Sequence, residues 1–232
     1  MKRVLVLALG LCVAGLASAQ ERQANDTLPP MGVQQQAFIY GLAMKYNDLN
    51  MAKSALYNIL SYNPANVNIL DSLALLYFEN QEFAPAVLIS QDILAINPKD
   101  MLATEIAALS FERLGVKDRA IPHYEKMYLA NNNINLLYQI AFLQLDVKRF
   151  NEADNNADVI IADAKAETLK MLFPRVRQGE TQEVSLKAAA YRLKAMIQEE
   201  KGNTDEAKSL YLKTLELAPG FEMAQQQLAA VK

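Results

Sequence analysis

Residues that end helices recur at a fixed interval along this chain. Pro98 follows Pro64 after thirty-four positions, and each proline follows an Asn and an apolar run. A further step of the same length leads to Asn132, in a turn-like run of three asparagines. Proline lacks a backbone N–H and disfavours helical geometry in the residue before it, so these positions suit the end of a helix. A period of this length indicates a stack of similar units, because one unit alone cannot bury its apolar face.

Alanines recur at a constant distance before these helix ends. Each of the three positions, and also Pro219, has an alanine twelve positions before it: Ala52, Ala86, Ala120 and Ala207. A small side chain allows two helices to approach closely. The 232 residues include eight Gly and eight Pro, and 52% are hydrophobic, which is enough to form a core. This composition favours helices joined by short turns and predicts an all-α fold.

The unit that ends at Pro98 shows the fullest pattern. It has a bulky residue, a Leu followed by a small residue, two aromatics, an alanine and a final proline: Leu70, Leu73, Ala74, Tyr77, Phe83, Ala86 and Pro98. This order resembles the tetratricopeptide repeat, although Ser90 stands where that family has a second-helix aromatic. The resemblance implies a right-handed α-solenoid of about five helix-turn-helix repeats spanning residues 33–232. Residues 221–232 are expected to form a C-terminal capping helix.

Two prolines fall inside the predicted helical units. By the repeat phase, Pro85 and Pro122 each lie near the start of a second helix. We expect both in the first helical turn, where backbone N–H groups have no intrahelical partner.

Residues 1–19 have the pattern of a secretory signal. Lys2 and Arg3 precede an apolar run over residues 4–16, and the small-x-small sequence at residues 17–19 is typical of a cleavage site. The run is too short for a transmembrane helix, so the mature chain is expected to have no membrane span. Residues 20–32 are polar, contain two prolines and predict a flexible leader. The protein is therefore expected to be exported, either periplasmic or secreted.

The repeat is interrupted near residues 163–185. Ala207 follows Ala153 after fifty-four positions, a spacing well beyond the length of one repeat. We expect this insertion to lengthen the second helix of the fourth unit and then to form an irregular loop. Long loops inside compact proteins are often functional. A plain difference in length between repeats is the alternative.

The sequence gives no catalytic or metal-binding pattern. Cys12 is the only cysteine and His123 is the only histidine, so no zinc site of the usual spacing can be built. The chain also lacks a glycine-rich phosphate loop and a nucleophile elbow. Removing Lys2 and Arg3 with the signal changes the net charge from −3 to −5, which does not favour nucleic acid. We therefore expect no enzyme activity, no cofactor and no nucleic-acid partner.

The resemblance implies that the first helices of the repeats line a concave groove. Carrying the groove positions over by phase selects an apolar track flanked by acids and asparagines: Asn68, Asp71, Leu75, Phe78, Glu105, Leu109, Glu112, Asn135, Tyr138, Phe142 and Leu145, with Arg192 and Met196 from the last unit. A phase error of one residue would instead turn some of these side chains into the core. The expected function is a scaffold or adaptor that binds a peptide or helical segment of another protein in the groove. A self-associating structural component of a cell-envelope assembly is the alternative.

Overall fold

A computed structural model describes residues 29–175 and 179–231. The predicted signal at residues 1–19 and residues 20–28 of the predicted leader lie outside the described residues. Helix α1 begins at Met31, so the last two residues of the predicted leader belong to the first helix.

Within the described ranges, ten helices form five consecutive pairs, and an eleventh follows them. The pairs are α1 with α2 (Met31–Lys45, Leu49–Leu60), α3 with α4 (Val67–Glu79, Phe83–Ile96), α5 with α6 (Met101–Arg113, Lys117–Asn131), α7 with α8 (Ile134–Asp146, Phe150–Ala162) and α9 with α10 (Leu186–Glu200, Thr204–Leu217). Helix α11 (Glu222–Ala230) packs on α10 in the place predicted for a capping helix. Only a short turn joins the two helices of each pair, so the partners run antiparallel. The all-α solenoid predicted from the repeat is confirmed.

The turn inside every pair has the same backbone geometry. One residue in each has a positive φ: Asn47, Gln81, Gly115, Lys148 and Gly202. In the third pair the Gly115 N–H donates to the Glu112 carbonyl, and the next N–H donates back to Phe111. The other four turns repeat both hydrogen bonds, which define a Schellman motif at the end of each first helix. Two of the five turns carry the glycine that this conformation favours.

The alanines that set the repeat phase lie where the helices meet. Ala52, Ala86, Ala120 and Ala207 are all fully buried, and Ala153 of the fourth pair is buried as well. A larger side chain at any of these positions would force the paired helices apart.

The helices form two layers that differ in spacing. Helix α3 contacts α5 and α7 contacts α9, whereas the second helices pack mainly on the first helices before and after them. In these two places the first helices approach one another more closely than the second helices do, as expected for the inner side of a curved stack.

The insertion folds differently from the prediction. Helix α8 is not lengthened, since it ends at Ala162. A short 3₁₀ helix (Ala164–Glu167) follows, and then strands β1 (Lys170–Pro174) and β2 (Thr181–Ser185) pair antiparallel with Phe173 opposite Gln182. The expected irregular loop was therefore wrong. Alternate residues of β2 are buried, which gives this hairpin one face toward the core.

Only one of the two helical prolines lies where it was predicted. Pro85 is the third residue of α4, in the first turn. Pro122 is the sixth residue of α6 and lies inside the helix, so its prediction was wrong. Proline cannot donate the N–H bond to the carbonyl four residues earlier, at Asp118. The side chain of Pro122 is exposed, so water can reach this part of the helix.

Candidate functional site

One side of α3 carries four of the predicted groove residues. Asn68, Asp71, Leu75 and Phe78 are three or four residues apart, which places them along one helix face. Asn68 is exposed, while the other three are partly buried. Leu75 and Phe78 pack against the N-terminal core cluster, which runs from the first repeat into α5. The ring of Phe78 also meets Phe83 of α4 edge to face, with 5.8 Å between centroids, so its position is fixed.

Helices α5 and α7 extend this surface. Glu105 is exposed on α5, and Leu109 lies one turn further along, partly buried against the central core. Phe142 of α7 is also partly buried against that core. Each of these apolar side chains thus packs on the core and keeps some exposed surface that a partner could contact.

Two of the predicted groove residues are instead buried. Tyr138 is 5% exposed and Leu145 is 6% exposed. Both belong to the same core cluster as Leu193 of α9. Helices α7 and α9 contact one another, and both side chains belong to the core that these helices share. Tyr138 and Leu145 therefore support the fold and do not present a surface for a partner.

The C-terminal end of the inner surface is covered by the hairpin and α11. Arg192, which was expected to face the groove, is buried. Its guanidinium lies 5.9 Å from the Phe173 ring of β1 and 5.6 Å from the Phe221 ring, and its Nε donates to Gln227 of α11. The Phe173 and Phe221 rings are themselves 4.8 Å apart. The inserted hairpin thus joins the fifth repeat to the last helix and closes this end of the groove.

The inner surface that remains accessible runs from α3 to α7. We call it the α3–α7 groove, and it is formed by Asn68, Asp71, Leu75, Phe78, Glu105, Leu109 and Phe142.

Asp71 is the most perturbed carboxyl group of this groove. Burial and the neighbouring Asp100 carboxylate raise the pKa of Asp71 to about 6. Its Oδ1 is buried and has no hydrogen-bond partner among the described residues. Asp100 is fixed nearby because it caps α5 by accepting a hydrogen bond from the Ala103 N–H.

Glu112 holds three helices together beside the groove. It accepts hydrogen bonds from the Tyr124 hydroxyl of α6 at 2.5 Å and from the Gln139 amide of α7 at 2.8 Å. Glu112 therefore has a structural role, and its carboxylate adds negative charge near Leu109.

The hairpin contacts of Arg192 were missed at the sequence level. The repeat phase assigned Arg192 to the groove but could not say what would cover it. A usable signal was nevertheless present: β-favouring residues around Phe173 and a period of two across Gln182 and Val184, with Gly179 between them, are typical of a hairpin.

The one histidine, His123, belongs to the packed surface of α6. Its ring stacks on Phe111 with 5.7 Å between centroids. Burial lowers the pKa of His123, and the nearby Lys126 and Arg119 lower it further. In the described ranges, no group of three or more His, Cys, Asp or Glu side chains is arranged to hold a metal ion. None of the helices described is both long and apolar enough to cross a bilayer.

Several solved structures share this arrangement of helices. A structure of the protein MamA matches with a TM-score of 0.56 and 18% identity, covering 87% of this chain and 98% of that one. A tetratricopeptide repeat protein from Parabacteroides merdae ATCC 43184 matches with a TM-score of 0.56 and 17% identity, covering 86% and 72%. YrrB, described as a tetratricopeptide repeat protein with an unusual peptide-binding site, matches with a TM-score of 0.59 and 13% identity, covering 81% and 87%.

No protein-family model and no curated protein matches the sequence. The structural matches confirm the tetratricopeptide-repeat fold that the periodic pattern predicted.

Proposed function

We propose that this chain is an exported scaffold or adaptor that binds an apolar or amphipathic segment of another protein in the α3–α7 groove. The observation that carries the proposal is the row of partly exposed apolar side chains on neighbouring inner helices. Leu75 and Phe78 of α3, Leu109 of α5 and Phe142 of α7 are held by the core beneath them. Apolar surface of this kind on a folded protein usually marks an interaction site.

Polar groups beside the apolar row would orient the bound segment. The Asn68 side chain is exposed at one edge and can bond to peptide backbone, and the exposed Glu105 carboxylate can accept from a donor on the partner. The tetratricopeptide-repeat fold gives this reading general support, and YrrB is a structural match whose description includes a peptide-binding site.

The export part of the proposal is supported by the N-terminal sequence. Two basic residues, an apolar run and a small-x-small sequence occur in the order of a secretory signal. Cell fractionation with mass analysis of the purified chain tests it. The expected product begins at Gln20 and lies outside the cytoplasm. A cytoplasmic product that keeps its first residues would contradict the export proposal and leave the groove proposal unaffected.

The groove is tested by placing a photo-activated cross-linker at single sites in the intact protein. Glu105 is suitable because its side chain is exposed inside the groove. Leu129 provides the control, since it is 76% exposed on the second helix α6. We expect a protein to be captured from position 105 and not from position 129.

The captured protein must then bind through the groove itself. Its affinity for the purified chain should fall at least about tenfold in Phe142→Arg, which places a charge in the apolar row. The affinity should be unchanged in Leu129→Arg. Circular dichroism and thermal unfolding establish that both variants are folded. Equal capture at both positions, or a folded Phe142→Arg variant with full affinity, would contradict the proposed site.

A further inference from the structure

The first repeat has a surface unlike the rest of the protein. Nineteen large apolar side chains are exposed in the described residues, and eight of them lie between residues 31 and 62. These eight are Met31, Phe38, Leu42, Met44, Tyr46, Met51, Tyr57 and Tyr62. Aromatic residues and methionine are the types that are enriched where proteins contact one another.

Charge is correspondingly scarce in this repeat. Between residues 31 and 62 the ionised side chains are Lys45, Asp48 and Lys53. Asp48 caps α2 by accepting a hydrogen bond from the Met51 N–H, and Lys53 pairs with Glu82 at 2.7 Å. Lys45 is the one charged residue of α1. Depletion of charge is the second compositional mark of an interface core.

Four of the exposed apolar residues form a line along α1 and the capping residue that follows it. Met31, Phe38, Leu42 and Tyr46 follow one another at intervals of seven, four and four residues, which keeps them on one side of the helix. They are 85%, 68%, 40% and 71% exposed. We call this line the α1 stripe. Helix α1 packs mainly on α2, and the stripe faces away from that contact.

The opposite end of the solenoid is different. Helix α11 exposes Gln225 and Gln226, while its larger apolar residues Met223 and Leu228 pack on the core. Head-to-tail stacking of two chains would place the α1 stripe against these amides and remove their hydration without replacing it. The stripe is therefore better matched by a second stripe than by the other end of the protein.

We propose that the α1 stripe is a dimerisation surface that pairs with the same stripe of a second copy of this chain around a two-fold axis. The stripe suits itself because its four side chains are apolar. The one cation beside it, Lys45, lies over the Tyr46 ring at one end, so an antiparallel pair of stripes brings no like charges together. Its four side chains expose on the order of 500 Å² per protomer, compared with about 800 Å² per partner in a typical stable interface. The flanking Gln34 and Gln35 supply further contact area, and the dimer is expected to dissociate on dilution.

The proposed two-fold symmetry places Phe38 next to the axis. If the two α1 helices cross antiparallel, the residue near the middle of the stripe lies beside the axis. Phe38 occupies that position between Met31 and Tyr46, so it meets its own copy. A single substitution at Phe38 then appears twice at the same point.

The test uses charge at this position in the full chain, with its N-terminus defined by mass spectrometry. Light scattering and sedimentation over a wide range of concentrations should show a monomer–dimer equilibrium for the unaltered protein. Phe38→Glu and Phe38→Lys should each raise the dissociation constant at least about 100-fold, because like charges would face one another at the axis. An equal mixture of the two variants should recover the dimer, because the charges are then opposite.

Leu129→Glu and Leu129→Lys are the matched controls, since Leu129 is exposed to a similar extent on α6. They should leave the dissociation constant unchanged. A protein that is monomeric at every concentration would overturn the proposal and leave another protein or residues 1–28 to cover the stripe. A dimer that tolerates Phe38→Glu, or variants whose mixture stays monomeric, would also overturn it. None of these results affects the α3–α7 groove, which does not include α1.

Discussion

The phenolic oxygen of Tyr124 lies 2.5 Å from the Glu112 carboxylate and donates a hydrogen bond to it across the third helix pair. The fifth pair repeats the arrangement, with Tyr211 donating to Glu199 at 2.8 Å. Both tyrosines lie twelve positions after their glutamate, so a side-chain hydrogen bond recurs in these repeats in addition to the apolar packing. In the second pair Ser90 occupies the tyrosine position, and its buried hydroxyl has no hydrogen-bond partner among the described residues.

Tyr124→Phe removes the hydroxyl while keeping the ring in the core. We expect a loss of about 1.5–3 kcal/mol in the free energy of unfolding, the range for a hydrogen bond to a charged group. Urea unfolding followed by circular dichroism measures it. Tyr128→Phe makes the same chemical change one turn later on α6 and should alter stability by less than about 0.5 kcal/mol. Equal effects in the two variants would show that the Glu112 contact does not stabilise the protein.

Lys148→Gly should make the protein more stable. Lys148 has a φ of 63°, a conformation that costs a residue with a side chain about 1 kcal/mol and that glycine adopts freely. Gly115 and Gly202 already occupy this position in two other repeats. We therefore expect a gain of about 1 kcal/mol in the free energy of unfolding from urea titration.

Lys201→Gly is the control for that gain. Lys201 has a φ of −79°, so glycine offers no relief of strain there and only adds freedom to the unfolded chain. The substitution should lower stability by about 0.5–1 kcal/mol. Stabilisation by both glycines would point to removal of the lysine charge as the cause.

The repeat could be predicted from sequence because its marks are local. Proline or asparagine at the end of a pair, and the fully buried alanine that precedes it at a constant distance, reflect backbone geometry and close helix contact. These change little from repeat to repeat. The groove residues of α3 and α5 follow from the same phase. Tyr138 and Leu145 do not, because their burial depends on how the neighbouring helices pack in the assembled core. The repeat period shows only that extra residues lie between the fourth and fifth units. It does not show how those units pack on one another.

The insertion also shows what spacing alone omits. The spacing between two repeats shows how many residues are inserted, but it does not show how they fold. The hairpin could be recognised only from the alternating pattern of its residues. Its docking through Phe173 onto Arg192 and Phe221 joins segments that are far apart in sequence. Such long-range contacts are set by the assembled fold.

Phe173→Ala should loosen the hairpin and α11 together. The Phe173 ring is 9% exposed and contacts both Arg192 and Phe221, so its removal leaves a cavity beside a buried guanidinium. We expect a loss of about 3 kcal/mol, at the lower end for truncating a buried aromatic. Hydrogen exchange should quicken first in residues 170–174, 181–185 and 222–230.

Leu172→Ala alters the neighbouring residue on the outer face of the same strand. Leu172 is 67% exposed, so the change should shift stability by less than about 0.5 kcal/mol. Exchange in α11 that is unaffected by Phe173→Ala would show that the hairpin does not hold the last helix in place.

Asp71 should make stability depend on pH in a direction opposite to that of a salt-bridged carboxylate. Burial and Asp100 raise its pKa from 3.8 to about 6, so the folded state binds a proton more tightly than the unfolded state does. Its contribution is therefore fully present below pH 3.8 and is lost as the pH rises through 6. Because the side chain is only partly buried, we expect Asp71→Asn to stabilise the protein at pH 7 by only about 1 kcal/mol. That advantage should disappear near pH 4. Urea titrations at the two pH values measure it, with the exposed Asp92→Asn on α4 as the control. A gain at pH 4 as large as that at pH 7 would show that the carboxyl is not strained by its surroundings in the groove.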